Sequence, residues 1–303
     1  MNRSPRGGAV FVLIGVLGYV MLPVWIRNVQ PSGLQPMDIA VWRFAFAAPL
    51  MWLLIGVLRT PRPDKPLPIV GLLGLGVLLM LSALAVFFGL QRVPASTFIV
   101  LFYTYPAMVA LINLALGERL PLQSWLALGL TLTGVALTVP DFGAGLTGEM
   151  TAGILIAFVN AFSVAVYFVL NGRLLKGHNA TLRASAWAIS GACVSILAVT
   201  AVRGGAMLPP DPKTWLLLIA MAVVSTVMPI NMFMIGIQRM GASRASILST
   251  LEPIGTLIVA ALLLGETLQP VQLLGAGLIL TSVLMLQLPV RRSAQPAAAL
   301  GAD

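Results

Sequence analysis

Ten uninterrupted apolar stretches, each about 20 residues long, run through this chain and limit what it can fold into. They cover roughly residues 8–27, 37–58, 67–91, 95–117, 121–139, 150–174, 182–203, 213–238, 243–264 and 270–290. Each is long enough to cross a hydrocarbon layer about 30 Å thick. No water inside such a layer satisfies a backbone N–H or C=O, so each crossing must be a helix that closes its own hydrogen bonds. The short alternating segments of an outer-membrane barrel are absent. Composition agrees: 59% of the 303 residues are hydrophobic and 9% charged, against about 25% charged in a soluble domain. The expected fold class is an all-α membrane protein with ten transmembrane helices.

The chain also repeats itself, which constrains how those helices are arranged. Gly89, Gln91, Arg92, Ala95, Ser96 and Pro106 match Gly236, Gln238, Arg239, Ala242, Ser243 and Pro253 at one constant offset. After a one-residue slip, Gly117-Glu118 matches Gly265-Glu266 and Gly129 matches Gly277. The implied units are a first repeat over 1–140, an outer linker over 141–149, a second repeat over 150–290 and a disordered tail over 291–303.

Lysines and arginines set the orientation, because cytoplasmic loops carry an excess of them. With the N-terminus inside, the inner side holds Arg3, Arg6, Arg59, Arg62, Lys65, Arg119, Arg173, Lys176, Arg183, Arg239, Arg244, Arg291 and Arg292. The outer side holds Arg27, Arg92, Arg203 and Lys213. Thirteen against four places both termini in the cytoplasm. Five crossings per repeat then turn the two halves upside down relative to each other. Inverted repeats give two related conformations open to opposite sides of a site near the membrane midplane.

Several function classes fall away. The net charge of +9 is spread between the apolar runs, so no nucleic-acid surface is expected. Cys193 is the only cysteine and His178 the only histidine, so no thiolate cluster, metal site or histidine-dependent triad is expected. No GxxxxGK[ST] loop is present to bind ATP, and no cofactor is expected. The apolar run after MNRSPRGG has no small-x-small cleavage site and reads as a retained first helix.

At Ser96…Pro106…Gly117-Glu118…Gly129 and Ser243…Glu252-Pro253…Gly265-Glu266…Gly277 the sequence resembles the EamA family of the drug/metabolite transporter superfamily. Arg43, in VWRFAFAAPL, also stands where that family tends to place an arginine. Within the family the chain is most similar to the YddG-type amino-acid exporters. It departs from the pattern at Leu17-Gly18-Tyr19, where a Trp-Gly pair is usual, and at Tyr105-Pro106, where the second half has Glu252-Pro253. The resemblance implies a central cavity lined by spans 1, 3, 4, 6, 8 and 9. Spans 2 and 7 would flank it, and spans 5 and 10 would pack the repeats, or protomers, together.

Candidate working residues follow. Glu252 is the only acid deep in a span, where a charge costs at least about 2.5–3.5 kcal/mol, and is read as a coupling group or a hydrogen-bonded tie. Pro253 removes a backbone donor and makes a hinge. Arg43 is read as an anchor paired with Asp38, with a contact to a substrate carboxylate as the alternative. The expected substrate-binding set is Tyr19, Trp25, Ser82, Tyr103, Asn160, Ser163, Tyr167, Ser225, Ser246 and Thr250. Tyrosine and tryptophan suit half-apolar ligands, and Asn160, Ser163 and Tyr167 share one helical face. Singly, Ser and Thr are as readily bonded to their own helix. Trp42, Trp125, Trp187 and Trp215 read as interfacial belt residues.

These features point to a secondary transporter of a bacterial inner membrane. It would export small neutral or zwitterionic metabolites, amino acids above all, by alternating access. An exporter of amphipathic or cationic drugs is the alternative, and an integral-membrane lipid-modifying enzyme is the alternative of another class. Partners reduce to the substrate and the lipid bilayer, for a monomer or homodimer.

Overall fold

A computed structural model describes residues 5–60, 62–90, 92–93, 98, 101–118, 120–138, 148–264 and 270–287. Ser96, Glu266, most of the 141–149 linker and the 291–303 tail lie outside these residues.

All described regular structure is helical. The elements are α1 (Pro5–Val20), α2 (Leu22–Val29), α3 (Pro36–Val57), α4 (Ile69–Leu90), α5 (Tyr105–Ala115), α6 (Leu122–Thr138) and α7 (Gly148–Leu174). They continue with α8 (Thr181–Val202), α9 (Pro212–Ala222), α10 (Met228–Met240), α11 (Ala242–Leu248), α12 (Glu252–Leu264) and α13 (Pro270–Gln287). A π-turn, Val223–Val227, joins α9 to α10, and a 3₁₀ turn, Ser249–Leu251, joins α11 to α12.

Six helical stretches among the described residues are long and apolar enough to cross a membrane: Gly7–Ile26, Pro36–Val57, Ile69–Val86, Gly148–Leu174, Thr181–Val202 and Pro212–Met240. The runs expected at 95–117 and 243–264 are not continuous helices. Each is interrupted by a turn just before a proline, because proline brings no N–H to the carbonyl four residues back. The 8–27 run also breaks, at Met21.

Prolines and caps set several starts. Pro36 and Pro212 occupy the first helical turn, where an N–H has no intrahelical partner. Asp211 caps α9 by accepting from the Thr214 amide at 2.9 Å and the Thr214 hydroxyl at 2.7 Å. Those bonds, the side-chain one first, hold its carboxyl below the ordinary range.

Helices from the two halves of the sequence pack on one another. α1 lies along α10, α4 along α7 and α8, α3 along α8, and α6 along α13. Small residues permit the closest approaches. A Cβ at Gly76 of α4 would fall 2.2 Å from the Ala188 carbonyl oxygen of α8, and one at Gly191 of α8 would fall 2.4 Å from that of Leu73. Gly18 plays the same part for α1, with Pro229 Cγ and the Val224 oxygen each 2.5 Å from its would-be Cβ. The main core runs through this contact zone and includes Val12, Val16, Met51, Leu72, Ile189, Met234 and Ile237.

Candidate functional site

The two interrupted runs meet at their breaks. In the first, helical backbone at 101–102 gives way to a turn at Tyr103-Thr104, and α5 restarts at Tyr105-Pro106. In the second, the 3₁₀ turn ends at Leu251 and α12 restarts at Glu252-Pro253. Hydroxyls cover carbonyls at both breaks: Thr104 donates to Leu101 at 2.6 Å, Ser249 to Ser246 at 2.8 Å and Thr250 to Ile247 at 2.6 Å. The Tyr105 hydroxyl crosses between them, bonding the Ser249 side chain and reaching the Ser246 carbonyl at 3.4 Å.

An aromatic cluster extends from this junction. Tyr105 lies 5.1 Å from Phe102, 6.1 Å from Tyr103 and 5.6 Å from Phe168 of α7, centroid to centroid. Phe168 continues to Phe233 of α10 at 5.8 Å, and Phe233 to Tyr19 of α1 at 5.6 Å. Tyr167 closes on Phe168 at 6.2 Å. The tilted and edge-on arrangements are those that ring quadrupoles favour.

Two charged side chains border this cluster. Glu252 is half-buried at the start of α12 and has no hydrogen bond or ion pair among the described residues, while interacting electrostatically with Tyr19, Tyr103 and Tyr105. Arg43 stands about 10 Å along α3. It donates from Nε to the Thr226 hydroxyl at 2.6 Å and from Nη2 to the Ser225 carbonyl at 2.7 Å. The expected pairing with Asp38 is therefore corrected. Asp38 instead accepts from the Gln35 and Met207 amides, each at 3.0 Å, holding the start of α3 against the segment before α9.

The remaining expected site residues divide into groups. Tyr19, Tyr103 and Tyr167 belong to the aromatic cluster. Ser82 donates to Asn160 Oδ1 at 2.7 Å, joining α4 to α7. Ser225 donates to the Gly18 carbonyl at 2.6 Å, joining α1 to the π-turn. Ser163, Ser246 and Thr250 spend their protons on their own chain, on Val159, Ser243 and Ile247. Trp25 is set apart, packed with an apolar group that includes Val29, Leu34, Ile39, Leu218 and Met221, its indole N–H buried without a partner among the described residues. Pro253 is buried in the first turn of α12.

Sequence reasoning did not single out Phe102, Phe168, Phe233 or Asn171. Phenylalanine in an apolar run carries no signal of its own, but Asn171 lies four residues past Tyr167 and so on the same face. Asn160 Nδ2 is buried with no hydrogen-bond partner among the described residues, and the buried Tyr167 hydroxyl and Asn171 amide have none there beyond each other. Buried polar atoms seldom go unpaired, which sets this face apart from the rest of α7. Among the described residues no group of His, Cys, Asp and Glu is placed to hold a metal.

The sequence model of the EamA-like transporter family matches this chain twice, over residues 6–139 and 151–288. The chain belongs to the EamA-like transporter family. It is 30% identical over 289 residues to an uncharacterized transporter of Archaeoglobus fulgidus, covering 93% of this chain and 97% of that one. It is also 27% identical over 302 residues to a probable amino-acid metabolite efflux pump of Escherichia coli, covering 92% and 94%. A solved crystal structure shares the fold, with a TM-score of 0.79 at 19% identity over 96% of this chain and all of that one. This EamA-like protein is thus a membrane transporter by family.

Proposed function

We propose that this EamA-like transporter exports small zwitterionic metabolites, amino acids above all, by alternating access across a bacterial inner membrane. The observation that carries the reading is Glu252, a membrane-embedded carboxylate with no ion pair among the described residues, set beside an aromatic cluster at the junction of two broken helices. A carboxylate there meets a substrate ammonium, and the rings receive an apolar or aromatic side chain. Broken helices near the midplane are a feature of secondary transporters, because they offer polar groups without an exposed backbone. The similarity to a probable amino-acid metabolite efflux pump points the same way.

The architecture that goes with this reading is ten crossings in two inverted repeats, 1–140 and 150–290, with both termini cytoplasmic. Two features support it: the family matches both halves, and packing is reciprocal, the first span on the eighth and the third on the sixth. The protein works as a monomer or homodimer, with no ATP and no cofactor.

A second reading, export of amphipathic cations, rests on the same carboxylate and rings, since aromatic faces attract cations. Saturable uptake by proteoliposomes separates the two. Labelled phenylalanine, threonine and methionine are expected to enter and compete with one another. Uptake confined to a lipophilic cation would replace the first reading with the second.

A further inference from the structure

We propose that Arg43 is the carboxylate-binding group of the transport site, and that occupancy there unfastens the π-turn between α9 and α10. The proposal rests on the reading of the protein as a carrier of zwitterions.

The π-turn is short of a donor. Met228 donates five residues back to the Val223 carbonyl, and Pro229 has no N–H to carry the ladder on to the Val224 or Ser225 carbonyl, where an unmet acceptor at membrane depth is costly. Arg43 Nη2 meets that carbonyl at 2.7 Å while Nε meets the Thr226 hydroxyl at 2.6 Å. The Ser225 hydroxyl in turn holds the Gly18 carbonyl at 2.6 Å, and Gly18 has room for nothing larger against Val224 and Pro229. The guanidinium therefore fastens α3 to the turn, and the Ser225 hydroxyl fastens the turn to α1.

A neutral donor would serve those two acceptors as well. Arginine brings a full charge and five N–H groups, of which two are used among the described residues. The side chain is half-buried, and no carboxylate pairs with it among the described residues. An embedded cation with spare donors and no anion suits a ligand carboxylate, which takes two parallel N–H bonds from a guanidinium. A ring lies between this cation and the carboxylate of α12. Tyr19, next to Gly18, interacts electrostatically with both Arg43 and Glu252, and Val20 packs where a Cβ on Gly255 would come within 2.5 Å. A zwitterion bound there would present its carboxylate to Arg43 on α3, beside Tyr19 and the rings. An ionised carboxylate outcompetes a neutral carbonyl and hydroxyl for the guanidinium. As it does so, the Ser225 carbonyl loses its donor and the π-turn is freed to change register, linking occupancy to bending.

The test compares phenylalanine with phenethylamine, the same molecule without its carboxylate, in proteoliposomes of the full chain. Arg43→Gln is expected to raise the half-saturation concentration for phenylalanine about tenfold or more and to leave that for phenethylamine within about twofold. Arg43→Lys should recover part of the loss. Pro229→Ala returns an N–H to the turn, so Arg43→Gln in that background keeps the turn supported and should show the same carboxylate-specific loss. Equal effects of Arg43→Gln on both compounds, or none on either, would overturn the proposal while leaving transport of zwitterions in place. A wild-type protein that moves neither compound overturns the transport reading, and this proposal with it.

Discussion

The Tyr105 hydroxyl bonds the Ser249 side chain, so the break in one apolar run is tied to the break in the other. The internal repeat superposes Pro106 on Pro253, which makes Tyr105 the counterpart of Glu252. The two breaks thus hold different chemistry in equivalent places: a neutral hydroxyl that crosses between the runs, and a carboxylate that does not. Tyr105→Phe removes that tie. Because a net hydrogen bond contributes about 0.5–1.5 kcal/mol, its detergent-solubilised protein should unfold slightly earlier on heating. Unchanged unfolding together with unchanged exchange rates would show the tie to be dispensable.

Glu252 is the group expected to couple substrate to protons. In Glu252→Gln, whose amide carbonyl can still accept from an ammonium, exchange of unlabelled for labelled substrate should continue with a raised half-saturation concentration, while uptake driven by an imposed pH gradient falls to the rate seen without one. Acceleration by the gradient that survives the substitution would remove Glu252 from coupling. Exchange insensitive to the gradient in both proteins would identify a facilitator.

Asn160, Tyr167 and Asn171 line about 16 Å of one α7 face with buried polar side chains. In a Cys193→Ser background, cysteine at 171 or 160 should react with a membrane-impermeant thiol reagent and be protected by substrate. Cysteine at Val159, which is 56% exposed on the outside of the bundle, is the lipid-facing control and should stay unreacted. Equal reactivity at 159 and 171 would deny the polar face a path.

The α4–α8 contact leaves no room at Gly76. Gly76→Ala puts a methyl against the Ala188 backbone, and the overpacking should cost about 1–3 kcal/mol, read as earlier thermal unfolding. Gly129→Ala, with open space around it, is the matched control and should unfold with the wild type.

Much of the fold is legible in local sequence because the bilayer leaves few choices. Apolar length marks the crossings, and Pro106 and Pro253 mark where two of them break, since a missing N–H acts within one turn. What sequence does not carry is which carbonyl a distant side chain will meet. Asp38 was the nearest acid along α3 and the natural expectation for Arg43, yet Pro229 leaves a better acceptor at Ser225, 182 residues away. The hydroxyls show a second kind of limit. Ser82 and Ser225 bridge helices whereas Ser163, Ser246 and Thr250 turn back on their own chain, and residue type is the same in both roles. Of the aromatic cluster, the tyrosines stood out because a phenol in an apolar run needs a partner. Phe168 and Phe233 became visible only once the helices were packed.

Alternating access makes one demand that neither an enzyme nor an open pore shares: substrate on the far side must speed entry from the near side. The direct measurement is counterflow, with labelled phenylalanine outside proteoliposomes preloaded with unlabelled phenylalanine, at equal pH. A transient accumulation of label above its outside concentration is expected, absent from empty vesicles. Label that rises only to equilibrium, at a rate indifferent to the preload, would contradict a carrier and leave a pore.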